Sequence, residues 1–365
     1  MLIIHYKHLD EITSTITVDM KKQTVRVADY TDNVIDCAWG NYAKNRVLTI
    51  DDFYTFLRKR LIPESRYDSK DVFSYVLGRE ITKIDEAVIL EAVKKTHGCM
   101  ANDFYFLEFV ELKVFDGTND AFVPVKYQKD DGNPLNNGFL PCKGNVIKYK
   151  VADTWYKEDY FGYEAACSYL CSKLLYTARK VDGSRVDYVP YHIEKIKNKI
   201  YSVSSDFLGE WEELYTLEDL YMRIRGCRFY DNLSITDKAD CIIEFMEKEL
   251  NITDTGCYIT LLMEWDALTL HPLRAMDDIY IIRDEDMFYP APVFGFNKTW
   301  LYPIGKSKNT QYDMLLNHLH KKYGRQLYLD TDSLSPDVFD EIKQHYNHAI
   351  TDKIRFLYKM QFSIN

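Results

Sequence analysis

The chain of 365 residues lacks the features that define several large classes of protein. It has no run of 18 apolar residues, so we expect no membrane-spanning helix. It carries 46 lysines and arginines against 56 aspartates and glutamates, a formal charge of −10, and a surface that binds nucleic acid through phosphates is therefore not expected. Disorder is excluded by composition, because 15% of the residues are aromatic and 29 are tyrosines.

Cysteine is also scarce, with eight residues and no Cys-x-x-Cys pair. This number is too small for a disulfide framework in a chain of this length. Cys167 and Cys171 stand four residues apart and share a helix face, where we expect small buried side chains rather than zinc ligands. The N-terminal sequence MLIIHYKHLDE contains charged residues after a few positions and lacks the apolar segment of a secretory signal peptide. We therefore expect a reducing, cytoplasmic environment.

Nine histidines raise the question of a metal site. The pairs His318/His320 and His345/His348 both lie in polar segments that predict C-terminal helices. Neither pair has a third ligand nearby at a spacing that suits a metal, and solvated helix histidines are the simpler interpretation.

Helix signals dominate the first part of the chain. Alternation of apolar and polar residues over 15–29 predicts one short hairpin. Thr49 followed by Asp52 predicts a capping box at the start of a helix. Two further helices are indicated around residues 72–77 and 87–93. We therefore assign residues 1–118 to a mainly helical N-terminal module.

A strong loop signal, KDDGNPLNNG at residues 129–138, leads into a part of the chain with strand patterns. Four strands are predicted around one helix that spans residues 163–175. The strands cover residues 146–151, 154–157, 188–196 and 200–207. Helices dominate again from Thr216, so we predict an α+β chain with a sheet lobe at 119–212, a helical lobe at 213–365 and a ligand cleft between the lobes.

Residues of the predicted sheet lobe follow the order of a kinase nucleotide site. Gly144 stands at the first strand, where a glycine lets backbone amides approach a phosphate, and Lys148 follows within that strand. Lys157 ends the next strand, and Glu164 begins the following helix. In kinases such a lysine orients the phosphates of ATP and such a glutamate holds the lysine. The same residues would equally suit a surface salt bridge and an ordinary turn.

Four consecutive blocks extend this comparison: KGNVIKYKV, TWYKEDYFGYEAACSYLCSKLL, YVPYHIEKI and SSDFLGEWEELYTLEDLYMRIRG. They resemble the HipA-like kinase family, and more specifically its branch in low-GC Gram-positive bacteria and their mobile elements. FYTFLRKRLIPESRYDSKDVFSYVLG and HGCMANDFYFLEF resemble the helical module often fused ahead of that kinase domain. The resemblance implies a two-lobed serine/threonine protein-kinase fold and a toxin–antitoxin or phage-related system, since the founding members are toxins.

The resemblance breaks in the catalytic segment. In the family, a D-R-H-x-N-N loop supplies the catalytic aspartate and a magnesium-binding asparagine, and a later P-x-F-D segment supplies the second metal ligand. Here Leu273 stands at the position of the catalytic aspartate, Asp278 at that of the asparagine and Gly295 at that of the second metal ligand. Leucine cannot orient a hydroxyl and glycine cannot bind magnesium, so the resemblance implies a pseudokinase that keeps its ATP-facing residues.

Three functions stay open at this stage. The first is a HipA-like pseudokinase that acts through a nucleotide, a protein partner or both, with or without ATP and with magnesium held at most by Asp278. The second is an active kinase in which Asp277, Asp278 or the acidic run 284–286 replaces the lost carboxylates, although this run more simply predicts a hairpin turn. The third is an antitoxin-like protein that takes a kinase's place in a complex. Direct contact with nucleic acid is not expected, because the basic segments are short and mixed with acids.

Overall fold

The structure, a computed structural model, describes most of the chain. The residues described are 1–9, 11–29, 31–44, 46–110, 146–229, 233–269, 271, 278–296, 310–330, 334–335 and 337–362. They divide into two compact units: an N-terminal unit of residues 1–152 with 212–229, and a C-terminal unit of residues 153–211 with 230–365. The predicted loop at 129–138 lies outside the described residues, and the three-part division of the chain stays a prediction.

The strands and helices follow one another along the chain with these bounds: β1 Leu2–His8, β2 Glu11–Asp19, β3 Thr24–Asp29, α1 Asn41–Lys44, β4 Leu48–Thr49, α2 Ile50–Lys59, α3 Ser69–Leu77, α4 Glu86–Thr96, β5 Tyr105–Phe109, β6 Lys148–Val151, β7 Thr154–Glu158, α5 Glu164–Thr177, β8 Arg179–Lys180, β9 His192–Ile196, β10 Lys199–Ser205, β11 Glu212–Thr216, α6 Leu217–Arg225, α7 Ile235–Lys248, α8 Thr255–Leu268, β12 Tyr280–Asp284, β13 Met287–Pro290, α9 Thr310–Tyr323, β14 Leu327–Tyr328, α10 Asp337–His345 and α11 His348–Phe362. In the described part of the chain, no helix has the length and apolar character needed to cross a membrane.

A five-stranded antiparallel sheet forms the centre of the N-terminal unit, in the order β4-β3-β2-β1-β5. Its register places Leu2 opposite Val18 and Ile4 opposite Ile16, and these four side chains are buried. The hairpin predicted at residues 15–29 is confirmed as β2 and β3. The sheet is larger than the sequence pattern indicates, because β1, β4 and β5 join it and none of these three strands is predicted.

The helices of this unit begin and end where side chains or backbone conformation complete the hydrogen bonds. The Thr49 hydroxyl accepts the amide of Asp52 and the Asp52 carboxylate accepts the amide of Thr49, so the predicted capping box of α2 is confirmed. Phe56 of α2 packs edge-on against Tyr6 of β1, with ring centroids 5.6 Å apart. α3 ends at Gly78, whose φ of 68° is the left-handed conformation that glycine favours at helix ends.

β11 and α6 belong to the N-terminal unit although they lie far along the chain. The guanidinium of Arg223 donates to the carbonyls of Ile35 and Cys37 at 2.5 and 3.0 Å and to the hydroxyl of Tyr6 at 3.2 Å. Asn41 donates to a carbonyl of α6 at 2.6 Å. These bonds attach α6 to β1 and to the segment that precedes α1.

In the C-terminal unit, β10 pairs with β7 on one side and with β9 on the other, both antiparallel. α5 lies against β9 and β10 and buries nearly all of its side chains, including Cys167 and Cys171. These cysteines are the small buried residues that the sequence predicts. The strand predicted at 188–196 begins only at His192, because Pro190 has no N–H to give to a strand ladder.

Helices α7, α8 and α9 pack against one another, and this packing corrects the interpretation of two histidines. His318 Nε2 lies 2.9 Å from Asp240 of α7, and His320 Nε2 lies 2.6 Å from Glu264 of α8. Glu264 also accepts the amide of Leu327 at 2.7 Å. The two histidines are bound to carboxylates rather than solvated, because α9 lies against acidic residues of helices that are distant in sequence.

The acidic run between β12 and β13 forms a hairpin turn, as the sequence predicts. Asp284 lies opposite Met287, so Glu285 and Asp286 make the turn. Glu285 has a φ of 52°, in the left-handed region that tight hairpin turns require. Glu285 and Asp286 therefore belong to the turn, and Asp284 ends β12.

Gly40 makes the closest approach between α6 and the segment before α1, and we expect Gly40→Ala to destabilise the N-terminal unit. A Cβ atom at Gly40 would lie 2.5 Å from the carbonyl oxygen of Arg223, and the φ of Gly40 is +52°. The strained backbone and the overlap together should lower the free energy of unfolding by about 2–4 kcal/mol. Urea unfolding followed by circular dichroism measures this loss.

Gly78→Ala is the matched control for this experiment. Gly78 has a φ of +68°, but nothing lies within 4 Å of its added Cβ, so only the backbone cost of about 1 kcal/mol is expected. Equal losses for the two substitutions would show that the approach of Arg223 is not what requires glycine at position 40.

Candidate functional site

Lys157 lies on β7 opposite Ser202 of β10, and a tyrosine holds its amine. The Nζ atom donates to the hydroxyl of Tyr191 at 2.7 Å and lies 4.7 Å from the centre of that ring. Tyr191 is buried, and its amide donates to the hydroxyl of Ser172 on α5 at 2.9 Å. The lysine that the sequence assigns to phosphate binding therefore has a neutral partner with which a phosphate would compete.

Two carboxylates bind the loop that joins β7 to α5. Asp159 accepts four successive backbone amides, those of residues 162–165, at 2.7 to 3.2 Å. Glu164, at the first position of α5, accepts the amides of Tyr160 and Phe161 at 2.8 and 3.1 Å. The first amides of a helix lack partners within the helix and carry partial positive charge, so both carboxylates stabilise this loop. Sequence reasoning assigned Glu164 to the lysine and did not predict its bonds to the loop.

Tyr346, just beyond α10, completes the arrangement around Asp159. Its hydroxyl donates to Asp159 Oδ2 and accepts the amide of Ala166 at 3.2 Å. Burial and the Asp159 carboxylate raise the pKa of Tyr346 above its usual value, so the phenol remains a donor at physiological pH. Sequence reasoning missed both residues. The pair of acids at 159 and 164 around a helix start could have indicated Asp159, whereas no local pattern points to Tyr346.

The segment that contains Gly295 is fixed by backbone pairing. Val293 donates to the carbonyl of Asp187 at 2.9 Å and accepts the amide of Val189 at 3.0 Å. Gly295 follows with a φ of +86°, and nothing lies within 4 Å of a Cβ atom built on it. There is room for a side chain at this position, but the backbone is in a conformation that favours glycine over an acidic residue.

Phe296 connects this segment to Lys157. The Phe296 ring is buried and meets the Tyr191 ring edge-on, with centroids 5.7 Å apart, and it also packs against Trp265 at 5.9 Å. Phe296, the residue after Gly295, therefore packs on the tyrosine whose hydroxyl accepts from the Lys157 amine.

The other predicted site residues are less informative. Gly144 and Leu273 lie outside the described residues. Lys148 opens β6, and its carbonyl lies 3.5 Å from a guanidinium nitrogen of Arg66. Asp278 is half-buried just before β12.

These residues do not fit the magnesium site of a kinase. Such a site takes oxygen ligands from two side chains, and Gly295 has none to offer beside Asp278. Within the described ranges, no cluster of three or more histidine, cysteine, aspartate or glutamate side chains could hold a metal ion.

Comparison with known proteins gives a result for structure only. No protein-family model matches the chain, and no curated protein matches it by sequence. Among solved structures, HipA of Shewanella oneidensis MR-1, from its toxin–antitoxin complex with HipB and operator DNA, superposes with a TM-score of 0.54. The match covers 99% of this chain and 96% of that chain at 10% sequence identity. This chain has an α+β, HipA-like kinase fold.

A second solved structure, the proinflammatory kinase CtkA of Helicobacter pylori, is more distant. It gives a TM-score of 0.37 at 14% identity, over 62% of this chain and 89% of that chain. The HipA-like fold expected from the sequence is thus supported by HipA. At 10% identity the likeness establishes the fold alone, and the chemistry must be argued from the side chains described above.

The Tyr346 hydroxyl is expected to contribute to the stability of the C-terminal unit through Asp159. Tyr346→Phe would leave an oxygen of Asp159 and the amide of Ala166 without this buried partner. We expect a loss of about 1–3 kcal/mol in the free energy of unfolding. Urea unfolding of the variant and the wild-type protein measures the difference.

Tyr328→Phe serves as the control, because Tyr328 is 50% exposed and its substitution should change stability by less than about 0.5 kcal/mol. A Tyr346→Phe protein as stable as the Tyr328→Phe protein would contradict the role given to the Tyr346 hydroxyl.

Proposed function

We propose that this chain is a HipA-like pseudokinase, which binds a nucleotide or a protein partner and does not transfer phosphate. The observation that carries the proposal is Gly295. By the sequence resemblance it stands at the position of the family's second metal ligand. It has no side chain, and its φ of +86° disfavours replacement by an acid. Leu273 at the position of the catalytic aspartate adds to the argument from the sequence.

The expected effect on catalysis is large. Phosphoryl transfer depends on positioning, on metal-borne charge and on an oriented nucleophile. The loss of one such element commonly lowers the rate by about 10²- to 10⁴-fold, and loss of two would leave little activity above background.

Nucleotide binding is the part of kinase chemistry for which this chain retains residues. Lys157 lies on a paired strand, and its amine donates to the Tyr191 hydroxyl at 2.7 Å. A phosphate group is a stronger hydrogen-bond acceptor than a phenol, so a nucleotide phosphate would compete for this amine. We infer that ATP binds, if weakly, through Lys157 and without a requirement for magnesium.

A protein partner is the second part of the proposal. HipA of Shewanella oneidensis was determined together with HipB and operator DNA as a toxin–antitoxin system. By analogy with that system, we propose that this chain acts within a complex, in a toxin–antitoxin or phage-related setting.

An active kinase is the alternative, and Asp278 is the observation that favours it. Its carboxylate is half-buried and stands next to β12, at the position of a family metal ligand. The acids at 284–286 support this alternative less, because they form the turn between β12 and β13.

Phosphate transfer distinguishes the two functions. With radiolabelled ATP and magnesium, we expect no incorporation of phosphate into this protein or into a general protein substrate above the level without enzyme. Incorporation that is lost in both Lys157→Ala and Asp278→Asn would establish the active kinase and overturn the pseudokinase.

ATP binding is tested in parallel by thermal unfolding. We expect ATP to raise the Tm equally in magnesium and in EDTA, since no complete metal site is present. Lys157→Ala should abolish the shift. Lys199→Ala, which removes an exposed lysine paired with Glu158 in the same sheet, should retain it.

Tyr191→Phe is expected to strengthen ATP binding. The substitution removes the hydroxyl that accepts from Lys157 at 2.7 Å and keeps the ring that packs on Phe296. A hydrogen bond worth about 0.5–1.5 kcal/mol no longer has to be broken, so the Kd for ATP should fall about two- to tenfold in isothermal titration calorimetry. Weaker binding would mean that the tyrosine hydroxyl contributes to the nucleotide site instead of competing for the lysine.

A further inference from the structure

A cavity of about 230 Å³, open to solvent at exposed residues such as Thr55, is formed by the N-terminal unit, and none of its lining residues belongs to the candidate kinase site. Its walls come from α2, from the segment 100–103 and from β11 and α6. Trp39, Phe56, Met100 and Met222 supply an apolar lining. At about 30 Å³ for each water molecule in the liquid, the volume corresponds to roughly eight waters, which suits a molecule about the size of an amino acid.

Arg223 places a positive charge in the wall of this cavity. Its guanidinium donates to two backbone carbonyls and to the Tyr6 hydroxyl, and it lies 6.0 and 5.6 Å from the ring centres of Tyr6 and Tyr105. All of these partners are neutral. Among the residues that the structure describes, no carboxylate forms an ion pair with Arg223. A half-buried charge whose partners are all neutral favours an anionic ligand.

The other positively charged side chains of the lining are either paired with carboxylates or exposed. Lys59 pairs with Asp219 at 2.8 Å, and Arg60 binds Asp103 through two nitrogens at 2.5 and 2.9 Å. Arg228 is exposed and, within the described part of the chain, has no acidic partner. Arg228 and Arg223 are therefore the two guanidiniums of the cavity whose charge is not already matched by a carboxylate.

Asn102 contributes a hydrogen-bond acceptor to the lining, whereas the guanidiniums contribute donors. Its amide nitrogen donates to the carbonyl of Leu214 at 2.8 Å, which fixes the orientation of the side chain. Its Oδ1 atom is buried and has no hydrogen-bond partner among the described residues. A buried acceptor without a donor costs free energy, and a ligand N–H would relieve that cost.

We propose that this cavity binds a free α-amino acid with a large apolar side chain. The side chain would lie among Trp39, Phe56, Met100 and Met222, and the carboxylate would meet Arg223 and Arg228. The ammonium group would be attracted by Asn102 and by the carboxylates of Asp52 and Glu218, which also line the cavity. Each part of the ligand thus has a counterpart in the lining. Residues of α2 and of α6 both line the cavity. A bound amino acid would therefore contact both helices and strengthen the attachment of α6 within the N-terminal unit.

L-Phenylalanine and two truncated analogues test the assignment by isothermal titration calorimetry and thermal unfolding of the full-length chain. We expect 10 mM L-phenylalanine to raise the Tm by about 2 °C or more, in a saturable manner. 3-Phenylpropionate, which lacks the ammonium group, and phenethylamine, which lacks the carboxylate, should each bind at least about tenfold more weakly.

Variants locate the binding. Arg228→Ala should weaken binding of L-phenylalanine at least about fivefold, whereas Arg26→Ala, at an exposed arginine of β3 outside the cavity, should have no effect. Met222→Trp should fill the cavity and abolish binding, and Met222→Leu should preserve it. Arg223 is left unchanged, because its bonds to Ile35 and Cys37 hold α6 in place. Circular dichroism confirms that each variant is folded.

Several results would overturn the proposal. Equal affinities for L-phenylalanine and phenethylamine would remove the role of the guanidiniums, and binding that survives Met222→Trp would place the ligand elsewhere. A tripeptide such as Gly-Gly-Phe that binds more than tenfold tighter than L-phenylalanine would reassign the cavity to a peptide C-terminus. No Tm shift with any of these probes would exclude the ligand class. None of these outcomes depends on ATP binding or phosphate transfer.

Discussion

The binding of four successive amides by the Asp159 carboxylate is the interaction on which the C-terminal unit depends. These hydrogen bonds lie at the start of α5, a helix whose side chains are mostly buried. α5 in turn supplies Ser172, which fixes Tyr191, and Tyr191 holds the amine of Lys157. A single carboxylate at a helix start therefore positions the lysine of the candidate nucleotide site through a short series of hydrogen bonds.

In the N-terminal unit, the side chain that connects distant segments is the positively charged Arg223 rather than a carboxylate. Arg223 of α6 binds two carbonyls from residues that precede it by more than a hundred positions, and it lies near the rings of Tyr6 and Tyr105. A buried charge of this kind is costly unless its hydrogen bonds are satisfied, so α6 has one favourable position on the sheet. The same requirement leaves a guanidinium in the wall of a cavity that apolar and charged side chains line together. Attachment of α6 and the proposed recognition of an amino acid thus have a common physical origin.

The HipA-like fold and the chemistry of a kinase can be separated in this chain. The fold depends on strand pairing, on a buried helix and on helix caps, none of which requires an acid at position 295. Catalysis depends on a few oxygen atoms at fixed positions, and the pseudokinase that we propose lacks one of them at Gly295. The Tyr191 hydroxyl accepts from Lys157, and the Tyr191 ring packs edge-on against Phe296, the residue after this glycine. The proposed function would thus use the fold for binding rather than for turnover.

Local patterns in the sequence are enough to predict several elements of this protein. The Thr49 capping box, the hairpin at residues 15–29, the helix α5 and the acidic turn after β12 are all predicted, because each depends on residues a few positions apart. Which distant groups meet is known from the fold alone. It pairs His320 with Glu264, Tyr346 with Asp159 and Arg223 with the carbonyls near residue 36, and it adds β1, β4 and β5 to a sheet that the pattern reduces to a hairpin. Periodicity and capping report the energies of neighbours along the chain, whereas these contacts follow from packing between elements, for which a single sequence has no local signal.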